Sequence, residues 1–389
     1  MHPIYLDFNS TAPLLPEAAA AMAQANAAPY ANPASQHAEG RRARRVLEDA
    51  RDEIAHLLGA DLTDRTADRL VFTSGGTEAN NLALLGLTGA DIARAGRIII
   101  SSIEHPSVAA TADFLAQRGW QIDRLAVSRD GVVQLDHLDE LLTPSPLGPP
   151  RLVSVMLANN ETGVLQPIAE IVRRCSTSAA ALPIHTDAVQ AVGKIPVRFR
   201  ELGVAAMSIA PHKFAGPRGI GGLLVRHGVA IQPILHGATQ QFGLRPGTES
   251  VALVLGFLAA LRAWDADRND WPRRMAALRD RLETTLQTAY PQLKINGCAA
   301  PRLPHTSNVA FLGHDRQALF MALDMAGICC STGSACASGS SEPSPTLLAM
   351  GLAKEIVDSS LRFSIGPTTT ADEIDEALRR ISGVLADRR

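Results

Sequence analysis

The segment Val204-Ala205-Ala206-Met207-Ser208-Ile209-Ala210-Pro211-His212-Lys213-Phe214-Ala215-Gly216-Pro217-Arg218-Gly219-Ile220-Gly221-Gly222 runs from an apolar stretch to a lysine set between a histidine and a series of glycines and prolines. The pattern predicts a buried strand over Val204–Ile209, then a loop. A lone lysine in a loop is ordinarily a solvated surface residue. The segment upstream changes that reading. In Ile184-His185-Thr186-Asp187-Ala188-Val189-Gln190 an aspartate follows a short apolar run and precedes a glutamine three residues on. An aspartate at one strand end and a lysine near the next are the pair needed to hold pyridoxal phosphate. The amine forms a Schiff base with the aldehyde, and the carboxylate keeps the ring nitrogen protonated as an electron sink.

Outward from this pair, strand and helix signals alternate. Apolar runs at Leu70–Phe72, Ile98–Ile100, Leu152–Leu157 and around Ile184 are separated by helical stretches such as Val108–Gln117 and Ile168–Arg174. Such runs predict a mostly parallel sheet covered on both faces, with ligands beyond the carboxyl ends of its strands. Polar motifs lie at those ends. Ser74-Gly75-Gly76-Thr77-Glu78-Ala79-Asn80 opens a helix and reads as an anion site. Glu104-His105-Pro106 puts an imidazole before a helix, where it could stack on a cofactor ring, and Asn159-Asn160-Glu161-Thr162-Gly163 is a polar turn. The glycines at 216, 219, 221 and 222 lack the spacing and the following helix of a dinucleotide fingerprint.

The first 15 residues read as an extended arm, followed by helices at Glu17–Asn26 and Glu39–Leu58, the second ended by Gly59. After Thr248 come helices at Ser250–Trp264 and Pro272–Ala289, strands near 294–296 and 306–311, a helix at Gln317–Met325 and a Ser/Gly/Ala-rich loop at 331–341. Ser360–Ser364 alternates like a half-buried strand, and Ala371–Leu385 is a closing helix. The expected division is a large domain, 16–254, and a smaller α+β domain made of 1–15 with 255–389.

Composition narrows the class. A chain of 389 residues, 46% hydrophobic and 20% charged, is that of a globular protein of more than one domain. Its net charge of −2 offers no dedicated surface for nucleic acid or an anionic membrane. The longest apolar run, Val251–Leu261, is too short to span a bilayer, and the first residues lack the pattern of a signal peptide. The expected location is the cytoplasm. The five cysteines suggest neither a disulfide framework nor a metal site. Cys329 and Cys330 read as the end of a buried strand, whereas Cys336, between Ser334-Ala335 and Ala337-Ser338-Gly339, sits where a reactive thiol would.

Taken together, these motifs resemble the cysteine desulfurases, a branch of the fold-type I pyridoxal-phosphate enzymes in the class V aminotransferase group. The likeness runs through Tyr5-Leu6-Asp7, Asn32-Pro33-Ala34-Ser35 with His37, the motifs at 74–78, 104–105, 159–163, 185–190 and 212–213, then Arg245-Pro246-Gly247-Thr248, Ser334-Ala335-Cys336, Glu342-Pro343-Ser344 and Arg362-Phe363-Ser364. It implies a mostly parallel seven-stranded sheet between helices, with a smaller α+β C-terminal domain. Lys213 would carry the Schiff base, Asp187 would hold the ring nitrogen, Gln190 would bond the phenolate oxygen, and His105 would lie over the ring. Gly76, Thr77 and His212 would hold the phosphate, joined by Thr248 from the partner subunit of a homodimer. Arg362, helped by Asn160, would clamp the carboxylate of L-cysteine. Cys336 would take the sulfur as a persulfide, leaving alanine, and pass it to an acceptor or scaffold protein for iron–sulfur clusters or thiolated cofactors. Where relatives commonly have Ser-x-His-Lys, this chain has Ala210-Pro211-His212-Lys213, which removes one hydroxyl from the phosphate.

Selenocysteine lyase or another class V lyase or aminotransferase is the alternative within the same architecture, and Cys336 speaks for desulfuration because transamination has no use for a thiol. A non-catalytic sulfur-assembly scaffold would have no physical need for Lys213, Asp187, His105 and Arg362 together.

Overall fold

The computed structural model describes residues 2–63, 66–89, 96–146, 148–176, 182–333 and 342–386. Its strands, in chain order, are β1 (Ile4–Tyr5), β2 (Arg69–Thr73), β3 (Arg97–Ser101), β4 (Gln121–Leu125), β5 (Leu152–Ser154) and β6 (Ile184–Asp187). They continue with β7 (Ala206–Ile209), β8 (Gly221–Val225), β9 (Lys294–Ile295), β10 (Thr306–Ala310), β11 (Ile328–Cys329) and β12 (Ser360–Ser364). Seven of them form the central sheet in the order β2-β8-β7-β6-β5-β3-β4. Strands β3 to β7 are parallel to their neighbours among themselves, and β8 runs antiparallel between β7 and β2. The architecture is the expected α/β fold with a mostly parallel seven-stranded sheet.

The continuous apolar runs follow from burial on both faces. Side chains alternate along a strand, so neighbours enter different cores. Leu70, Phe72, Ile99, Val153, Met207 and Leu224 join one cluster, under helices Pro16–Ala27, Ala38–Leu57 and Val251–Ala266. Val71, Ile98, Ile100, Leu152, Ala206, Leu223 and Val225 join the other, under helices Gly76–Leu87 and Pro106–Ala116. Each fully buried side chain of this kind contributes roughly 1.5–3 kcal/mol of transfer free energy.

Two strands were not legible as such. Gln121–Leu125 is a half-buried edge strand, and Gly221–Val225 opens with the glycine pair that reads as loop. The glycines are there for close approach. A Cβ at Gly221 would lie 2.5 Å from the Gly75 carbonyl carbon, and one at Gly222 would lie 3.1 Å from Leu70 Cδ1.

The smaller unit has the antiparallel sheet β12-β10-β9, the parallel pair β1-β11, and helices Asp270–Ala289, Arg316–Met325 and Ala371–Ala386. The N-terminal arm belongs to it: Ile4 pairs with Ile328, and Tyr5 with Cys329. Cys330 is buried and Cys329 half-buried. Contrary to the half-buried reading, every residue of β12 is buried. Asp7 and Ser331 bridge to Ser364 and Arg362, covering the edge that β10 leaves open.

Helix Val251–Ala266 is continuous and packs on Pro16–Ala27 and Ala38–Leu57. The boundary expected at 254/255 falls inside it, and we propose that the division lies beyond Ala266. Among the described residues no helix is long and apolar enough to cross a membrane, and no cluster of His, Cys, Asp and Glu could hold a metal ion.

The Gly75–Gly221 contact yields a stability test. Gly221→Ala should cost on the order of 1–3 kcal/mol, because backbone has to shift to admit the methyl. Denaturant unfolding checks this, and wild-type stability would mean that the contact is not tight.

Candidate active site

The carboxyl ends of β2, β3, β5, β6 and β7 deliver the polar motifs to one place. A cavity of about 250 Å³ there is lined by Gly76, Thr77, His105, Asn160, Asp187, Gln190, His212 and Lys213, together with Ser10, Asn80, Ser107 and Ala210. A second cavity of about 450 Å³ shares Ser10, His105, Asn160, Gln190 and Lys213 with the first and adds Arg362, Glu342 and Pro343. Thr248 is exposed and lines neither. Cys336 lies outside the described residues.

A hydrogen-bond chain joins Asp187 to His105. Asp187 Oδ1 accepts from Val189 N–H at 2.9 Å, and Oδ2 accepts from Asn80 Nδ2 at 2.7 Å. Asn80 Nδ2 also donates to Ser107 Oγ at 2.8 Å, and Ser107 Oγ is 2.7 Å from His105 Nδ1. The Ser107 backbone N–H donates to the same Nδ1 at 3.1 Å, so that nitrogen is an acceptor and a neutral ring carries its proton on Nε2. Asn80 and Ser107 escaped the sequence reading. The signal available was an asparagine pair, Asn80-Asn81, just before the apolar run that ends helix Gly76–Leu87.

Lys213 Nζ donates to the carbonyls of Asn9 at 2.7 Å and Ser10 at 2.9 Å. Gln190 Nε2 donates to the same Asn9 carbonyl at 3.0 Å, while its Oε1 is buried with no partner among the described residues. Burial, then the charges of Lys213, Lys194 and Arg218, push His212 down to about 4, so it is neutral near pH 7. Beneath the site, His185 bridges Ser154 and Ser208 Oγ at 2.9 Å each, and burial lowers it to about 4. Lys194 is also buried, and that burial with the charge of Lys213 pushes it down to about 7.

These residues fit pyridoxal phosphate. Gly75, the N-cap of helix Gly76–Leu87, makes no side-chain cap bond, so the first N–H groups and the helix dipole can receive a phosphate. A Cβ at Gly76 would narrow this cradle, standing 3.0 Å from Val189 Cγ2 and 3.5 Å from Ala210 Cβ. Asp187 could meet a ring nitrogen, Gln190 a phenolate, and Lys213 an aldehyde.

Arg362 is 1% exposed. Its Nη1 donates to the Asn160 carbonyl at 2.9 Å, and its Nη2 to Asp7 Oδ1 at 2.7 Å and Ser10 Oγ at 2.8 Å. Asn160 is presented by a turn in which Asn159 Oδ1 accepts from the N–H groups of Glu161 and Thr162, both at 2.9 Å. Glu161 reaches both flanks of the 334–341 segment. Its Oε2 accepts from Ser344 Oγ at 2.6 Å and would lie 2.6 Å from a Cβ at Gly333. Ser331 exchanges main-chain hydrogen bonds with Arg362 at 2.7 and 3.0 Å.

The family model described as Aminotransferase class-V matches residues 4–377. A cysteine desulfurase of Cereibacter sphaeroides is 40% identical over 394 residues, covering 100% of this chain and 97% of the relative. Cysteine desulfurase IscS of Dictyoglomus turgidum is 36% identical over 386 residues, covering 99% and 95%. Among solved structures, the NifS-like protein from Rickettsia africae superposes with a TM-score of 0.88 at 32% identity, covering 99% of this chain and 100% of that one.

Two measurements probe this environment. Burial, reinforced by the charge of Asp187, pushes Glu104 up to about 8, against hydrogen bonds to its Oε1 from Ser101 and the Met156 N–H. From the unfolded value near ~4.3 up to about 8, the folded chain keeps a proton that the unfolded chain has lost, so stability falls as pH rises through that window. Glu104→Gln should therefore gain on the order of 2–4 kcal/mol relative to wild type between pH ~5 and ~8.5. Melts at the two pH values check this, and a constant difference would overturn it. Ala210 is fully buried beside Gly76, and Ala210→Ser should slow cofactor loss on dialysis, by up to the 1–3 kcal/mol (roughly) of one phosphate hydrogen bond. Unchanged or faster loss would mean that the phosphate is satisfied by another route.

Proposed function

The chain belongs to the aminotransferase class-V family, and from that premise we infer that its two joined cavities carry out the desulfuration of L-cysteine. It is a cysteine desulfurase, a pyridoxal-phosphate enzyme that releases alanine and keeps the sulfur as a persulfide. The observation that carries the assignment of residues is the continuity of the cavities. Lys213, Asp187, Gln190 and His105 share the first, Arg362 borders the second, and the flanks of the segment bearing Cys336 begin beside Arg362.

In this reading the substrate carboxylate docks at Arg362 with the Asn160 side chain alongside. Lys213 would hold the cofactor, and its amine would carry the proton at the substrate Cα. Asp187, held by Asn80 and the Val189 N–H, would face the ring nitrogen. His105, with Nδ1 turned to Ser107, would lie over the ring. Pyridoxal phosphate, when bound, supplies the sink for the electron pair left on carbon when the C–S bond breaks. The Cys336 thiolate attacks the substrate sulfur, an S–S bond forms as C–S breaks, and protonation of the carbon skeleton gives alanine. An acceptor protein then removes the sulfur, and a homodimer brings Thr248 of one chain toward the other's phosphate. The reading places the enzyme in the cytoplasm, a setting that suits a chain of nearly balanced charge.

Two variants test this. Lys213→Ala should lose the visible band in the ~400–430 nm region of a conjugated imine. Cys336→Ala should keep the band and still bind L-cysteine, yet release almost no sulfide. Mass spectrometry of the wild type after brief incubation with L-cysteine should find about 32 Da on Cys336, the covalent intermediate of nucleophilic catalysis. Sulfur on Cys329 or Cys330, or wild-type desulfuration by Cys336→Ala, would overturn the assignment.

A further inference from the structure

The N-terminal arm does more than complete a sheet. Ser10 N–H turns back onto the Asp7 carbonyl at 3.0 Å, and the turn is pinned to both parts of the molecule. Asn9, 1% exposed, donates from its backbone to Ser364 Oγ at 2.9 Å, and from Nδ2 to Thr306 Oγ1 at 3.0 Å and the Asn160 carbonyl at 3.1 Å. Its Oδ1 accepts from His305 Nε2 at 2.7 Å. On either side of this anchor sit the two cations of the site. The Asn9 and Ser10 carbonyls hold Lys213, while the Asp7 carboxylate and Ser10 hydroxyl hold Arg362.

The Asp7–Arg362 pair is lopsided. The guanidinium is fixed in β12 with a side chain 1% exposed, while the Asp7 side chain keeps 18%. A buried guanidinium without a counter-charge is costly, so some anion has to accompany it at all times. A substrate carboxylate brings the same charge and the same acceptor oxygens. Nη2 is committed to Asp7 and Ser10 and Nη1 to Asn160, so a bidentate carboxylate gains full access to the fork only if a partner lets go. Asp7 has solvent to move into, and Arg362 has none. Asn9 keeps the arm in place when Asp7 releases.

We propose that Asp7 is an internal stand-in for the substrate carboxylate: it neutralises Arg362 in the resting enzyme and is exchanged for the α-carboxylate of the incoming amino acid. Binding is then a swap of one carboxylate for another at a buried guanidinium, next to the carbonyls that hold Lys213. Asp7 is a positioning residue whose charge sets how strongly the site competes with its own substrate. This rests on the reading of Arg362 as the carboxylate clamp.

The test is a binding titration of the holoenzyme with L-alanine, followed by the shift of the visible cofactor band, with L-alaninamide as the probe that lacks a carboxylate. Asp7→Asn removes the competing charge and should tighten L-alanine about tenfold, a charge-pair effect of common size, while L-alaninamide stays within about twofold. Asp7→Glu keeps the anion and should bind L-alanine as the wild type does. Unchanged or weaker L-alanine binding by Asp7→Asn would overturn the exchange, as would equal changes for the two probes. Asp7→Ser carries the same expectation as Asp7→Asn. If neither holds the fold while Asp7→Glu does, the pair is structural and the proposal fails. The underlying reading is tested separately by Arg362→Lys, which should weaken L-alanine and spare L-alaninamide. If it spares both, Arg362 is not the clamp, whatever Asp7 does.

Discussion

Burial of the central sheet on both faces is the constraint from which the rest follows. Leu70 and Val71, Ile98 and Ile99, and Leu152 and Val153 alternate between two apolar cores, which leaves no room for an uncompensated charge within the strands. Polar chemistry is therefore displaced to the carboxyl ends. There backbone N–H groups, helix starts and short turns can satisfy it, and Gly76, His105, Asn160, Asp187 and Lys213 meet at that edge.

At that edge the charges are few, and they are held by backbone and side-chain groups brought in from elsewhere in the chain. Asp187 depends on Asn80, one helix away, and His105 is joined to it through Ser107. His185 and His212 are kept neutral by burial, so neither adds a positive charge near pH 7. The cationic character rests mainly on Lys213 and Arg362, and both are gripped by the ten N-terminal residues. The arm is thereby a shared wall of the two cavities as well as a strand of the smaller unit.

The smaller unit is arranged around the same edge. β12 carries Arg362 between β10 and the arm, and Ser331 lies across from it just before the segment that bears Cys336. Glu161, raised above the usual carboxylate range by burial, touches both flanks of that segment from the large-unit side. A single polar turn, 159–163, thus reaches Arg362 through the Asn160 carbonyl and the segment flanks through Glu161.

Much of this was legible along the chain. Alternating apolar runs, the glycine-rich helix start, the His-Lys pair and the Asp-x-x-Gln spacing are local patterns, and local patterns are set by backbone sterics and side-chain periodicity. They sufficed for the sheet type and for most of the residues around the first cavity. Asn80, Asn9 and Asp7 were not recognised as parts of the site because each acts through a hydrogen bond to a residue far away in sequence, as Asp7 does with Arg362, and Ser107 was missed because it matters as the link between His105 and the distant Asn80. The strand at Gly221–Val225 was missed because its opening glycines answer to close neighbours across the sheet, Gly221 to the Gly75 backbone and Gly222 to Leu70. The sequence by itself determined which residue types arrive at the strand ends. The tertiary structure alone decided which of them touch, because a hydrogen bond depends on distance and angle in space, and those are set only once both cores are packed.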